Sequence, residues 1–135
     1  MHDEVEVITA EGVVIAAVHG DVDHDTFREI RDALFTCTAG GAAAVVVDLD
    51  QVGFFGSIGI AVLLETRQHA DQLGIGFAVV AGRRTVARPI RLTDTQDLLR
   101  VQRTRDEALA AVRRQPRFTG FLDEPSDTGV ERSWP

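Results

Sequence analysis

Apolar and polar positions change period several times along this chain. Val5 and Val7, with Thr9 next in line, alternate with charged or small residues, the period of a half-buried strand. Glu11-Gly12 predicts a tight turn and VVIAAVHG at 13–20 a second strand, so the chain opens as a β-hairpin. The following DVDHDT at 21–26 is rich in residues that cap helices. Phe27, Ile30, Leu34 and Phe35 then fall at helical spacing, which predicts a helix over about 25–38, closed by Gly40-Gly41. AAAVVVDL at 42–49 is short, continuously apolar and rich in valine, as a central strand covered on both faces would be. Residues 50–56 predict a turn.

Ile60, Leu63, Leu64, Arg67 and Ala70 restore helical spacing through about residue 73, with Gly74 as the stop. IGFAVVAG at 75–82 predicts another apolar strand. Thr85 to Leu92 suits a short helix, which Pro89 confines to a turn or so beginning near the proline. LLRVQ at 98–102 predicts a fifth strand. RDEALAAVRR at 105–114 predicts a final helix, acids first and arginines last, as the helix dipole favours. The order β-β-α-β-α-β-(α)-β-α implies an α/β domain over residues 1–115: a mixed, mostly parallel sheet with interspersed helices, its N-terminal hairpin adding an antiparallel edge. After Pro116 periodicity ends, and residues 116–135 predict a flexible polar tail with Phe118, Phe121 and Trp134 as the side chains able to dock on a surface.

A length of 135 residues suits one such domain, and 44% apolar content suffices for its core. No apolar stretch approaches the roughly 20 residues needed to cross a bilayer. The acidic start, MHDEVEV, lacks the blocks of a signal peptide, so a cytoplasmic location is expected. Cys37, the single cysteine, excludes an internal disulfide and a multi-thiolate metal site, and suits a small buried side chain on a helix. The net charge of −7 is unevenly spread: residues 1–75 carry 13 acids against 3 arginines, residues 76–115 carry 4 acids against 9 arginines. An acidic front half argues against nucleic acid as the main partner. Every basic residue is arginine. Arg83, Arg84, Arg88 and Arg91 form a cluster suited either to an acidic protein patch or phosphate, or simply to solvent.

The candidate chemistry is sparse. Asp48 and Asp50, ending a strand, resemble the phosphoaspartate motif of haloacid-dehalogenase-like phosphatases. That chemistry needs a downstream cation, usually lysine, and an acidic pair for magnesium; this chain has no lysine. A strand end solvated by two aspartates is the simpler reading. DVDHD at 21–25 opens like a calcium loop, but Thr26 stands where that loop needs glycine, and helical spacing begins at Phe27. Capping by Asp23 or Asp25 accounts for the same residues. His2, His19, His24 and His69 show no paired ligand spacing, and neither a phosphate-binding loop with lysine nor a G-x-S-x-G elbow is present. His24 is the only base that topology offers to Ser57, and nothing in the sequence positions it. No catalytic residue, metal or cofactor is expected.

Ser57 stands out, set between glycines where a helix opens. Its simplest role is an N-cap, its hydroxyl accepting a backbone N–H. Gly56 and Gly59 are read as leaving the site uncrowded, Gly59 at a cost of about 1 kcal/mol against alanine. Helix N-termini favour anions, so a phosphorylated serine is physically reasonable there.

Two stretches together resemble the STAS (sulfate transporter and anti-sigma factor antagonist) domain in its free-standing bacterial form. One is Gly20-Asp21-Val22-Asp23 after the second strand. The other is Val47-Asp48-Leu49-Asp50-Gln51-Val52-Gly53-Phe54-Phe55-Gly56-Ser57-Ile58-Gly59-Ile60-Ala61, a strand–turn–helix pattern. The resemblance spans about residues 4–114. It implies the STAS fold and a partner-switching protein rather than an enzyme: an antagonist that binds an anti-sigma factor, often also a serine kinase, and so frees a sigma factor. Phosphorylation of the serine that falls on Ser57 would end binding, and a serine phosphatase would reset it. The loop aspartate of the family's partner surface falls on Asp23; with it Asp21, His24, Gly56, Ser57, Ile58 and Gly59 form the expected partner-binding set. Three positions depart from the pattern: Gly56 replaces an acid, Ile58 a second hydroxyl and Ala61 a glycine. The departures leave Ser57 as the motif's only acceptor. They also keep open a STAS-type ligand-binding or scaffold module without a serine switch.

Overall fold

The computed structural model describes residues 4–115. The expected tail at 116–135, with Phe118, Phe121 and Trp134, lies outside the described residues. Strands β1 (Val5–Ala10) and β2 (Val13–Val22) pair antiparallel, from Val5↔Val18 to Ala10↔Val13. Glu11 and Gly12 join them with φ of 53° and 85°, the two positive values of a type I′ turn, which glycine adopts without strain. From β2 the chain enters helix α1 (Phe27–Ala39), then strand β3 (Ala44–Phe55), helix α2 (Ser57–Leu73) and strand β4 (Gly76–Val80). Helices α3 (Arg84–Leu92) and α4 (Gln96–Leu99), strand β5 (Val101–Gln102) and helix α5 (Arg105–Arg113) follow. The five strands lie in sequence order, and β2 to β5 run parallel. The α/β class, mixed sheet and hairpin edge expected from the pattern are all present.

The pleat sends alternate residues to opposite faces. Val45, Val47 and Leu49 of β3, with Ala16, Val18, Phe77 and Val79, meet Ile30 and Leu34 of α1, Leu63 of α2, Val86 and Ile90 of α3 and Leu99 of α4. Val13, Ile15, Val46, Ala78 and Val80 face the other way, onto Ala108 and Val112 of α5. The continuous apolar runs of β3 and β4 follow from this double cover. Each large side chain sealed there, Phe77 or Leu34 for example, contributes about 1.5–3 kcal/mol.

Three local readings change. Residues 50–56 do not form a turn: β3 continues to Phe55, pairing Gln51, Val52 and Phe55 with His19, Gly20 and Val22 across two register shifts. Polar and glycine residues are tolerated there because this extension runs past β4 and is half solvent-facing. Pro89 does not confine α3, which runs unbroken from Arg84. The proline removes one bond to the carbonyl of Thr85, an exposed residue whose carbonyl water can serve. The segment predicted as strand 98–102 is instead the single turn α4 and a two-residue strand, separated by Arg100 at φ 53°. Leu99 is thereby turned into the core.

Candidate functional site

Ser57 is the first residue of α2, not its cap. Gly56 is the N-cap, extended at φ −97° and ψ −175°, and no side chain caps this helix. Ser57 is exposed, and among the described residues its hydroxyl has no hydrogen-bond partner. The side chain is thus free of structural duty and open to a visiting group. The glycines around it are not empty space. A Cβ on Gly59 would lie 2.5 Å from Cε1 of Phe55, a ring that is 5% exposed, so this buried glycine seats Phe55 beneath the first turn. A Cβ on Gly56 would lie 3.2 Å from Cε2 of Phe54. Ile58 is half-buried.

The second stretch of the pattern lies against the first. Gly20 has φ +83°, a backbone glycine adopts readily, at a register shift two residues before β2 ends at Val22. Asp21 Oδ1 accepts the N–H of Phe54 at 3.0 Å, and Val22 O accepts the N–H of Gly56 at 3.4 Å. Thr26 Oγ1 donates to the carbonyl of Asp21 at 2.7 Å. Asp23 then caps the turn leading into α1: its Oδ1 accepts the N–H groups of Asp25 and Thr26 at 2.9 and 3.2 Å, and its own N–H donates to Thr26 Oγ1 at 3.1 Å. This reciprocal pair is a capping box with threonine in the reaching position. Helical spacing beginning at Phe27 pointed to it, and it leaves the Asp23 carboxylate committed to backbone rather than to an ion.

Asp21, Asp23, Gly56 and Ser57 are therefore brought to one end of the sheet, with the acidic loop beside the mouth of α2. His24 is exposed there, its ring edge-on to Phe27 with centroids 6.4 Å apart. Phe54, 55% exposed and beside Gly56, adds a large apolar surface that sequence reasoning missed. Its assignment to a turn hid it; the register shift between Val52 and Phe55, both buried, breaks the alternation and leaves Phe54 facing out.

Asp48 and Asp50 have other partners. The Asp48 carboxylate is buried on the α5 side of the sheet, where it pairs with Arg105 Nε through Oδ2 and accepts the N–H of Asp50 at 2.9 Å through Oδ1. Asp50 Oδ1 accepts the N–H of Gly82 at 3.1 Å, and Arg83 Nη1 donates to the carbonyl of Asp50 at 2.9 Å. The pair therefore ties β3 to the β4–α3 turn and to α5. Among the described residues no group of histidine, cysteine and carboxylate side chains is arranged to hold a metal ion. No helix of the described residues is long and apolar enough to cross a membrane. Cys37 lies buried on α1, where desolvation raises its thiol pKa.

Comparison with known proteins bears on the family and the fold. Residues 4–108 match the model of the STAS domain. The anti-sigma-F factor antagonist RsfB of Mycobacterium tuberculosis is 32% identical over 113 residues, covering 82% of this chain and 92% of that protein. The crystal structure of an anti-sigma factor antagonist from Mycobacterium paratuberculosis superposes with a TM-score of 0.71 at 33% identity, over 81% of this chain and 92% of that one. The unphosphorylated form of the anti-sigma factor antagonist SpoIIAA shares the fold with a TM-score of 0.66 at 18% identity, over 81% and 96% of the two chains.

Proposed function

This chain belongs to the STAS domain family of anti-sigma factor antagonists, and on that premise we propose that phosphorylation of Ser57 controls its binding to an anti-sigma factor of the serine-kinase type. The unmodified protein holds the anti-sigma factor and so releases a sigma factor. A serine phosphatase restores the binding form, and the cycle runs in the cytoplasm. The observation that carries the reading is the exposed, unbonded hydroxyl of Ser57 at the first position of α2, beside a loop bearing Asp21, Asp23 and Asp25. The mycobacterial relatives named as antagonists support it.

Charge and shape supply the switch. A phosphate adds about −1.5 to −2 charges at pH 7. The N-terminus of α2 tolerates that charge on its own chain, since helix dipoles favour anions there. The same charge stands next to the carboxylates of the 21–25 loop, where it repels an acidic or apolar partner surface. In this reading Asp21, Asp23, His24, Gly56, Ser57 and Ile58 border the partner, Phe54 supplies its apolar contact, and the buried Gly59 acts by seating Phe55. The acid that the family places before the serine is Gly56 here, so the kinase reads the backbone and Phe54 instead of a carboxylate.

The test is a pull-down from native cells with wild type, Ser57→Ala and Ser57→Glu, followed by phosphopeptide mapping across residues 54–67. Ser57→Ala retains an anti-sigma factor, and Ser57→Glu loses most of it. Equal retention by both variants, with no phosphate in the mapped segment, refutes the switch.

A further inference from the structure

Three of the chain's arginines line a cleft that the serine switch does not use. It lies at the C-terminal end of β4 and holds about 580 Å³, within the range of small-molecule sites. Arg84 at the start of α3, Arg91 at its end and Arg103 after β5 stand on its walls; Ile90, Ala87 and Val101 add apolar lining. Among the described residues none of these three guanidinium groups has an ion-pair partner, although carboxylates outnumber arginines in the chain. Arg83, their sequence neighbour, is drawn off to the carbonyl of Asp50, and Arg105 to Asp48. The cations that remain unpaired thus include the three gathered in one concavity. Gln96 also lines the cleft, and its Oε1 is sealed from solvent without a donor. A buried carbonyl oxygen left unmet costs about 1–3 kcal/mol, so turning this side chain outward to meet an N–H or O–H group in the cleft relieves that cost.

We propose that this cleft binds a small phosphate ester, whose phosphate meets Arg84, Arg91 and Arg103 and whose hydroxyl or amino group donates to Gln96. Guanidinium groups match phosphate oxygens in pairs, which suits the phosphate end. The apolar lining and the unmet carbonyl make the site more than a charged surface, since neither is served by a bare anion. The cleft is bordered by α3, α4 and β5 and takes no residue from the acidic loop or the mouth of α2, so the proposal stands or falls independently of the Ser57 switch.

The probes are ribose 5-phosphate, inorganic phosphate, ribose and sulfate, titrated into the full chain at constant ionic strength. Binding is read by calorimetry and by backbone amide NMR shifts. Ribose 5-phosphate binds, inorganic phosphate and sulfate bind more weakly, and ribose does not bind. The shifted amides are those of Gly82, Arg84, Gln96 and Val101. Arg84→Gln and Arg103→Gln each weaken ribose 5-phosphate roughly tenfold. Gln96→Leu removes its advantage over inorganic phosphate, and Arg114→Gln, on the end of α5, changes nothing. Binding of all anions with equal strength, shifts scattered over other arginines, or no binding of ribose 5-phosphate would overturn the proposal. The NMR map is taken on the wild type, so it decides even if a variant fails to fold.

Discussion

Asp21 Oδ1 accepts the backbone N–H of Phe54 at 3.0 Å, joining residues 33 positions apart. That bond fastens the end of β2, where the acidic loop begins, to the end of β3 just before Ser57. Asp21 is exposed, so replacing it with alanine costs only about 1 kcal/mol of stability, the scale of one net hydrogen bond. Its larger effect is local. Hydrogen exchange at the Phe54 amide speeds up in Asp21→Ala, and binding of an anti-sigma factor weakens because the two halves of the site lose their register. Asp21→Asn keeps an acceptor oxygen and preserves both properties. An unchanged Phe54 amide in the alanine variant would show that the bond does no positioning.

Ser57→Ala leaves stability within about 0.5 kcal/mol of wild type in chemical denaturation. An N-cap serine would cost about 1 kcal/mol. The difference follows from position: Gly56 is the cap, and the Ser57 hydroxyl bonds to no described residue. A loss near the capping value would mean that the hydroxyl serves the helix after all.

Gly59→Ala sets two effects against each other. Alanine gains about 1 kcal/mol of helix propensity over glycine. The new methyl, however, meets Phe55 Cε1 at 2.5 Å, inside any real contact distance, and that ring is buried. Overpacking of this kind costs about 1–3 kcal/mol. The expected net result is a destabilised protein, with Phe55 displaced and its aromatic NMR resonances shifted. Restored stability in Gly59→Ala/Phe55→Leu, relative to Gly59→Ala, confirms the clash as the cause. A Gly59→Ala variant more stable than wild type would leave propensity as the stronger effect.

Elements whose residues all obey one period were legible in the sequence: α2, with Ile60, Leu63 and Ala70 at helical spacing, was placed from end to end, and β4 and α5 nearly so. The hairpin was legible because Glu11-Gly12 can take the two positive φ values of its turn. What escaped depended on neighbours far along the chain. The β3 extension carries Asp50, Gln51 and Gly53, residues that favour turns, and is held in the strand by β2 and by the Asp21 carboxylate. The helix at Pro89 persists because Val86 and Ile90 are anchored under the sheet. For the site, sequence pattern named Ser57, Asp21 and Asp23, yet it could not show that Gly59 is filled by Phe55 or that Phe54 faces solvent.

Asp48 and Arg105 test a buried charge. The Asp48 side chain is 6% exposed and its partner 42%. Arg105→Met keeps the aliphatic stem but leaves the carboxylate with only the Asp50 N–H. Breaking a fully buried pair costs about 3–5 kcal/mol. The exposure of Arg105 admits water, so the expected loss is smaller, about 1–3 kcal/mol. Asp48→Asn retains the bond to Asp50 and costs less. In a double-mutant cycle the two losses are not additive, since the second replacement removes a partner that is already unpaired. Additive losses would show that the two side chains act independently.

Cys37 yields a pH prediction with a definite sign. Burial raises its pKa above the ordinary thiol value, because desolvation on the core face of α1 penalises the charged thiolate and not the neutral thiol. The unfolded chain exposes the same group, which ionises near the unperturbed value. As pH rises through the ordinary thiol range the unfolded state therefore releases a proton that the folded state retains, and stability falls through the interval between the two pKa values. Well below the ordinary thiol range the group is protonated in both states and contributes no slope. Unfolding free energies measured from pH 7 to 10 for wild type and Cys37→Ala share one baseline slope at neutral pH and diverge as the pH enters the ordinary thiol range, where only wild type shows the added decline. Reactivity follows the same chemistry: at pH 7.5 iodoacetamide modifies the native protein far more slowly than the denatured one, since the thiolate is the nucleophile. Rapid native alkylation at neutral pH, or parallel stability curves through pH 10, would place this thiol in contact with solvent.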